Sequence, residues 1–207
     1  MIETTLYYFH DPMCSWCYAF QPAWEKIKTG LPEEVKVENI VGGLAPDDEN
    51  PMPERIRNYI QGCWHRIEEV VPGTVFNFNY WSECEPRRST YPACRAVIAA
   101  KIQGREYEEP MIHAIQEAYY RNAQNPSDYE THLQLACELK LDVPKFEKDL
   151  FSREIDEELE RQIDFSGKLG IPGFPCLVLN REGEYIQVPH DYNDPCPTLD
   201  AIDSVRP

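Results

Sequence analysis

The chain reads as an α/β protein of βαβ…ββα order interrupted by a large all-helical insertion. Three observations predict this. A short β-prone run, Leu6 to Phe9, passes through the breaker Asp11-Pro12 into a helical pattern. From about Glu54 to Lys168 the apolar residues follow mostly helical periodicity. Near the end a Gly/Pro turn feeds two further β-prone runs and a last helix.

Taken in order, Leu6-Tyr7-Tyr8-Phe9 is short and apolar enough for a buried strand. After Pro12, the residues Trp16, Ala19, Phe20, Trp24 and Ile27 recur at helical spacing, and the helix is expected to end before Gly30. Val35 to Val41 is the second strand, followed by Gly42-Gly43 and a loop from Ala45 to Pro53. Helices are predicted over Arg55 to Val70, Tyr91 to Gln103, Glu109 to Asn122, Tyr129 to Leu139 and Ile155 to Leu169, with a short one from Pro144 to Leu150. Pro72-Gly73, Gly104, Asn125-Pro126 and Asp142-Val143-Pro144 separate them. Cys176 to Leu179 and Tyr185 to Val188 flank a Gly-containing turn and read as a hairpin. A helix from Leu199 to Val205 closes the chain. The expected division is one unit from residues 1–46 and 170–207, with 47–169 as the helical insertion domain.

A hydrophobic content of 42% excludes a disordered chain. The net charge of −16 excludes nucleic acid and anionic membrane as partners, since no basic patch offsets it. No apolar run approaches the ~20 residues that span a bilayer. The start Met1-Ile2-Glu3-Thr4-Thr5 lacks the basic and apolar stretches of an export signal. A soluble, cytoplasmic protein is expected, and a reducing compartment keeps most of the eight cysteines free. Cys94 and Cys137, both in helical patterns, read as packed small hydrophobes.

Cys14 and Cys17 do not fit that reading. Only Ser15 and Trp16 separate them, at a strand-to-helix junction. Residues three apart on a helix have Cβ atoms ~5–6 Å apart, close to disulfide distance after a modest adjustment. The helix N-terminus favours thiolate over thiol at Cys14. Cys14 is then the attacking sulfur and Cys17 resolves the mixed disulfide. Trp16 presents an apolar surface beside the reactive sulfur, and Ser15 offers a weak hydrogen bond. As half of a zinc site the pair lacks a partner; Cys63 with His65 is the nearest candidate and a poor one.

Far along the chain, Gly170-Ile171-Pro172-Gly173-Phe174-Pro175 leads into the hairpin, with Pro175 at the first strand position. Together with Phe9-His10-Asp11-Pro12-Met13-Cys14-Ser15-Trp16-Cys17-Tyr18, it resembles the DsbA-like branch of the thioredoxin superfamily. It is most similar to the members related to FrnE and to 2-hydroxychromene-2-carboxylate isomerase. The resemblance implies a thioredoxin fold split around a helical insertion, with Pro175 as a cis-proline opposite the cysteine pair. It implies that the backbone of Phe174 pairs with an extended substrate. His10 stands where the branch often has a non-ionisable residue; it either influences Cys14 or caps the strand. Cys176 follows the proline, as a packed strand residue or a third redox sulfur. Arg95, in Ser89-Thr90-Tyr91-Pro92-Ala93-Cys94-Arg95-Ala96, is either a guide for an acidic substrate or a solvated helical arginine.

The expected function is a thiol–disulfide oxidoreductase, acting as a protein-disulfide reductase or isomerase on protein or small-molecule thiols and disulfides. No metal or organic cofactor is required, glutathione being the candidate co-substrate. The alternatives are a glutathione-dependent transferase or isomerase of the kappa type and a non-catalytic binding module; the oligomeric state stays open. The acidic stretch Glu154 to Arg161 reads as a solvated helix face with Ile155 and Leu159 buried, Tyr119-Tyr120 and Trp64 as packing, and Cys196 as an exposed thiol open to glutathionylation.

Overall fold

The computed structural model describes residues 4–205. The reading of Met1, Ile2 and Glu3 falls outside them. Strand β1 (Thr4–His10) runs through the middle of a sheet ordered β2-β1-β3-β4, where β2 is Val35–Val41, β3 is Cys176–Arg181 and β4 is Glu184–Val188. β1 and β2 are parallel, which requires the crossover that helix α1 (Ser15–Gly30) supplies. β3 pairs antiparallel with β1 and with β4.

Alternation along β1 then assigns its two faces. Leu6 and Tyr8 point toward α1, where Phe20, Ala23, Trp24 and Ile27 line the buried side, and toward α9 (Cys196–Ser204) through Ile202. Phe9 points the other way, with Cys176 and Val178, onto Phe165 and Leu169 of the region around α8 (Arg153–Lys168). The ring centroids of Phe9 and Phe165 are 5.6 Å apart, and Gln162 Oε1 accepts from the Val41 N–H at 2.8 Å. The last helix of the insertion thereby covers the second face of the sheet.

The other helices form their own core. They are α2 (Glu54–Val70), a short α3 (Tyr80–Glu83), α4 (Tyr91–Gln103), α5 (Glu108–Tyr120), α6 (Tyr129–Glu138) and α7 (Val143–Leu150), with a 3-10 turn at Arg105–Tyr107. α4 is buried nearly all round: Ala93, Cys94, Ala96, Val97, Ile98, Ala99 and Ala100 are inaccessible, and its run of small side chains lets neighbours approach closely. Trp64, Phe76, Tyr80, Trp81, Tyr119 and Tyr120 pack as an aromatic group beside it. Sequence periodicity does not predict α3 or the 3-10 turn, because one turn is too short to show a period.

Cys137 departs from the expected packed cysteine: it is exposed. The covered stripe of α6 is His132, Leu135 and Ala136, so Cys137 is rotated away from α5 and α7 onto the outer face. Cys94 is buried as expected, and so are Ile155 and Leu159.

Candidate functional site

The end of β1, the loop that follows it and the first turn of α1 build the site. Cys14 caps α1 with extended backbone, one residue ahead of the expected first turn, and its Sγ accepts from the Cys17 N–H at 3.3 Å. The loop is held from below by Asp11. Its carboxylate, fully buried, accepts from the N–H of Met13 and of Leu44 and from the Thr90 hydroxyl, each at 2.8 Å. The Cys94 thiol points at it from 3.7 Å. One carboxylate thus ties together the loops after β1 and β2 and the start of α4. Burial pushes the Asp11 carboxyl above the usual carboxylate range, while these donors pull it back.

The two sulfurs sit in different surroundings. Cys14 keeps 6% of its surface and its thiol donates to the carbonyl of Phe174 at 3.5 Å. Cys17 has none, and burial pushes its thiol well above the ordinary range, with Cys14 adding to the shift. The Phe174–Pro175 bond is cis. Trp16, half-buried, meets Tyr192 at a centroid distance of 5.1 Å, and Ser15 is half-buried beside it. Gly42 leaves room for the Phe174 ring: a Cβ there would lie 1.8 Å from Phe174 Cζ.

Cys176 is buried but packs on the α8 face of the sheet with Phe9 and Val178, whereas α1 and its cysteines cover the opposite face. His10 is fully buried, its ring stacked 5.1 Å from that of Tyr8, and neither ring nitrogen has a hydrogen-bond partner. Arg95 is not a solvated arginine. It donates to Asp47 at 2.6 and 2.8 Å and to Asp156 at 2.6 Å, because the loop after β2 and the start of α8 converge on its helix. A cleft of about 530 Å³ opens there, lined by Arg87, Arg95, Asp128, Tyr129 and Phe151 among others. One of its lining residues, Ser127, reaches Met13 Sδ at 3.9 Å. Cys196 is exposed at the start of α9. Among the described residues, no group of three or more His, Cys, Asp or Glu side chains is arranged to hold a metal ion, and no helix is long and apolar enough to cross a membrane.

Two site residues escape sequence reading. Tyr8 looks like any strand aromatic, yet burial, with Cys17 and Cys14 adding to it, pushes its phenol well above the usual range. Asp11 looks like part of a breaker, yet it is the tie described above. The signal available for Asp11 was its position just before a helix start; Tyr8 had none.

The buried histidines predict a pH dependence of stability. Burial lowers His10 to about 3, with Lys101 contributing, and lowers His132 to about 4. The unfolded chain therefore binds protons below 6.5 that the folded chain refuses, so this stability is complete above 6.5 and is lost as pH falls toward 4 and 3. By about pH 5 each histidine should cost about 2 kcal/mol. Asp11, raised rather than lowered, opposes the trend. Urea unfolding at neutral and mildly acidic pH checks it: the midpoint should fall on acidification, and His132→Gln should flatten the slope. A midpoint indifferent to pH across this window refutes the assignment.

A thioredoxin family model matches residues 7–193. The ClpXP adapter protein SpxH of Bacillus subtilis is 26% identical over 192 residues, which are 91% of this chain and 63% of that protein. The chain thus spans less than two thirds of that relative's length. A candidate protein disulfide isomerase from Nitrosomonas europaea superposes with a TM-score of 0.86 at 26% identity, covering 98% of this chain and 97% of the other. The cytosolic disulfide reductase DsbM of Pseudomonas aeruginosa, in its structure with GSH, gives 0.76 at 21% identity, covering 97% and 98%.

Proposed function

The chain belongs to the thioredoxin family, in the DsbA-like form with a helical insertion, and we propose that it is a cytoplasmic thiol–disulfide oxidoreductase working through Cys14 and Cys17. The observation that carries this reading is the unequal burial of two sulfurs one helical turn apart, with only Cys14 reaching the surface. A nucleophile needs access; a resolving thiol needs to be out of reach of everything but its partner.

The exchange proceeds in two displacements. Cys14 Sγ attacks a substrate disulfide, forming a mixed disulfide and releasing one substrate thiolate. Cys17 Sγ, after losing its proton, attacks Cys14 Sγ; the intramolecular disulfide forms and the electron pair of the broken bond leaves on the second substrate sulfur. Phe174 and Pro175 shape the docking groove, with Trp16 on its rim. Ser15 and His10 remain candidate modulators, His10 through packing since burial holds it neutral. Cys176 acts as a packed strand residue, on the far face of the sheet. Glutathione is the proposed co-substrate, supported by the DsbM structure that contains it, and the cytosolic description of that neighbour supports the location. The division into 1–46 with 170–207 and 47–169 stands as a proposal too, with α8 as the helix that joins insertion to sheet.

A second reading is a binding module that presents a protein partner, favoured by the adapter description of SpxH. Reduction of insulin by glutathione, with wild type and Cys14→Ala, tests the first reading: equal rates refute it. Inertness of both Cys14 and Cys17 to alkylation at neutral pH would leave the adapter reading.

A further inference from the structure

The cleft beside Arg95 takes no part in either displacement, yet it opens next to them. Its lining residue Ser127 is buried, donates to the Ser89 carbonyl at 2.7 Å and lies 3.9 Å from Met13 Sδ. Met13 directly precedes Cys14. Asp47 and Glu49 reach the cleft from the loop after β2, Tyr129 and Glu130 from the start of α6, and Phe151 from the end of α7.

Its charge is unbalanced. Among the described residues, the carboxylates of Asp47, Glu49, Asp128, Glu130 and Asp156 face two guanidiniums. Both guanidiniums are already engaged. Arg95 is held by Asp47 and Asp156, and Arg87 donates to Asp128 and to the Ser127 carbonyl, each at 2.7 Å. An anionic ligand would have to compete with these pairs. Glu49 and Glu130 are exposed, and neither has a cationic partner among the described residues. His132, also in the lining, adds no positive charge, since burial lowers it to about 4. The excess of negative charge selects a cation.

An aromatic surface adds to this independently. Phe151 is 72% exposed, and its ring lies 5.1 Å from that of Tyr129. A ring so exposed offers a π-face to an ammonium or, better, to a guanidinium that stacks on it. Among the described residues no three side chains converge as metal ligands. The volume of about 530 Å³ is that of a ligand pocket and exceeds what one small cation fills.

We propose that this cleft docks a basic segment of a substrate protein, rich in arginine or lysine, and so holds that protein's disulfide near Cys14. That the occupant is a substrate rests on the redox reading above; that it is cationic rests on the cleft.

Two peptides of equal length and with the same internal disulfide test it, one ending in arginines and lysines, the other in serines and glycines. Reduced protein is mixed with each, quenched in acid over a time course and resolved by mass. Wild type should oxidise its cysteine pair about tenfold faster with the basic peptide, and the advantage should shrink as salt rises. Glu49→Lys with Glu130→Lys should bring the two rates together, and Phe151→Ala should slow the basic peptide alone. Glu33→Lys with Glu184→Lys makes the same change in net charge at the end of the sheet away from Cys14, and should keep the preference. Iodoacetamide, which is neutral, should alkylate Cys14 at nearly one rate in all four proteins. A labelled basic peptide without cysteine separates docking from chemistry: its anisotropy should rise with wild type and much less with the Glu49/Glu130 variant. Exchange with both peptides at one rate, without binding of the labelled peptide, overturns the cleft and leaves the redox reading intact. A preference lost equally in the Glu33/Glu184 variant also overturns it, by assigning the effect to overall charge. Binding without exchange of either peptide supports a cationic docking site but refutes the redox reading and the substrate assignment with it.

Discussion

Replacing Cys14 with alanine is expected to bring disulfide exchange down to the uncatalysed background, whereas Cys17→Ala should still attack substrate and then stall. The difference follows from position. Cys14 Sγ sits at the helix cap, accepts one backbone N–H and retains access to solvent. Cys17 has neither access nor a route to a substrate sulfur except through Cys14. Without Cys14 the burial that raises the Cys17 thiol leaves it both protonated and unreachable. Without Cys17 the mixed disulfide has no intramolecular partner, so it persists until an external thiol arrives. Insulin reduction should show loss of turnover in both variants. Non-reducing mass analysis should show a trapped substrate adduct only in Cys17→Ala. An adduct on Cys17 in the Cys14→Ala protein would reverse the assignment of roles.

Gly42→Ala is expected to damage the site from the loop after β2, by way of the Phe174 ring. Gly42 does not require a left-handed backbone, so the substitution probes space alone. Its new methyl would lie 1.8 to 2.4 Å from three atoms of the Phe174 ring, and the ring must move. Overpacking of this kind costs about 1–3 kcal/mol. The carbonyl of the same residue is the group 3.5 Å from Cys14 Sγ, so displacement of Phe174 reshapes the proposed docking edge. The expected outcome is a several-fold rise in KM for a protein disulfide, with the rate of Cys14 alkylation by a small reagent little changed. The double variant Gly42→Ala with Phe174→Ala should recover the stability lost to the clash but not the docking, since contacting residues are not additive. Normal KM in Gly42→Ala would show that Phe174 does not shape the groove.

The same pairs of residues show how far the chain could be read unaided. Cys14 and Cys17 were legible because three-residue spacing at a helix start is local: it holds whatever the rest of the chain does. The strands and most helices were legible for the same reason, as in β2 and α4, whose observed bounds coincide with the periodic segments. Pro22 lies inside α1 on its exposed face without ending it, so the apolar stripe of Phe20, Trp24 and Ile27 outweighed a local breaker. Cys137 went the other way. Its helix was predicted, but which stripe of that helix is covered depends on where α5 and α7 lie.

By itself the amino-acid order determined the order of the strands and longer helices, the cysteine pair and the proline-led turn into β3, all set by interactions within a few residues. Only the folded chain decided which sulfur reaches solvent, that Phe174 stands over Cys14 from 160 positions away, and that Arg95 is enclosed by Asp47 and Asp156. Burial and orientation are properties of opposed surfaces, and a surface acquires its partner only when distant segments pack against it.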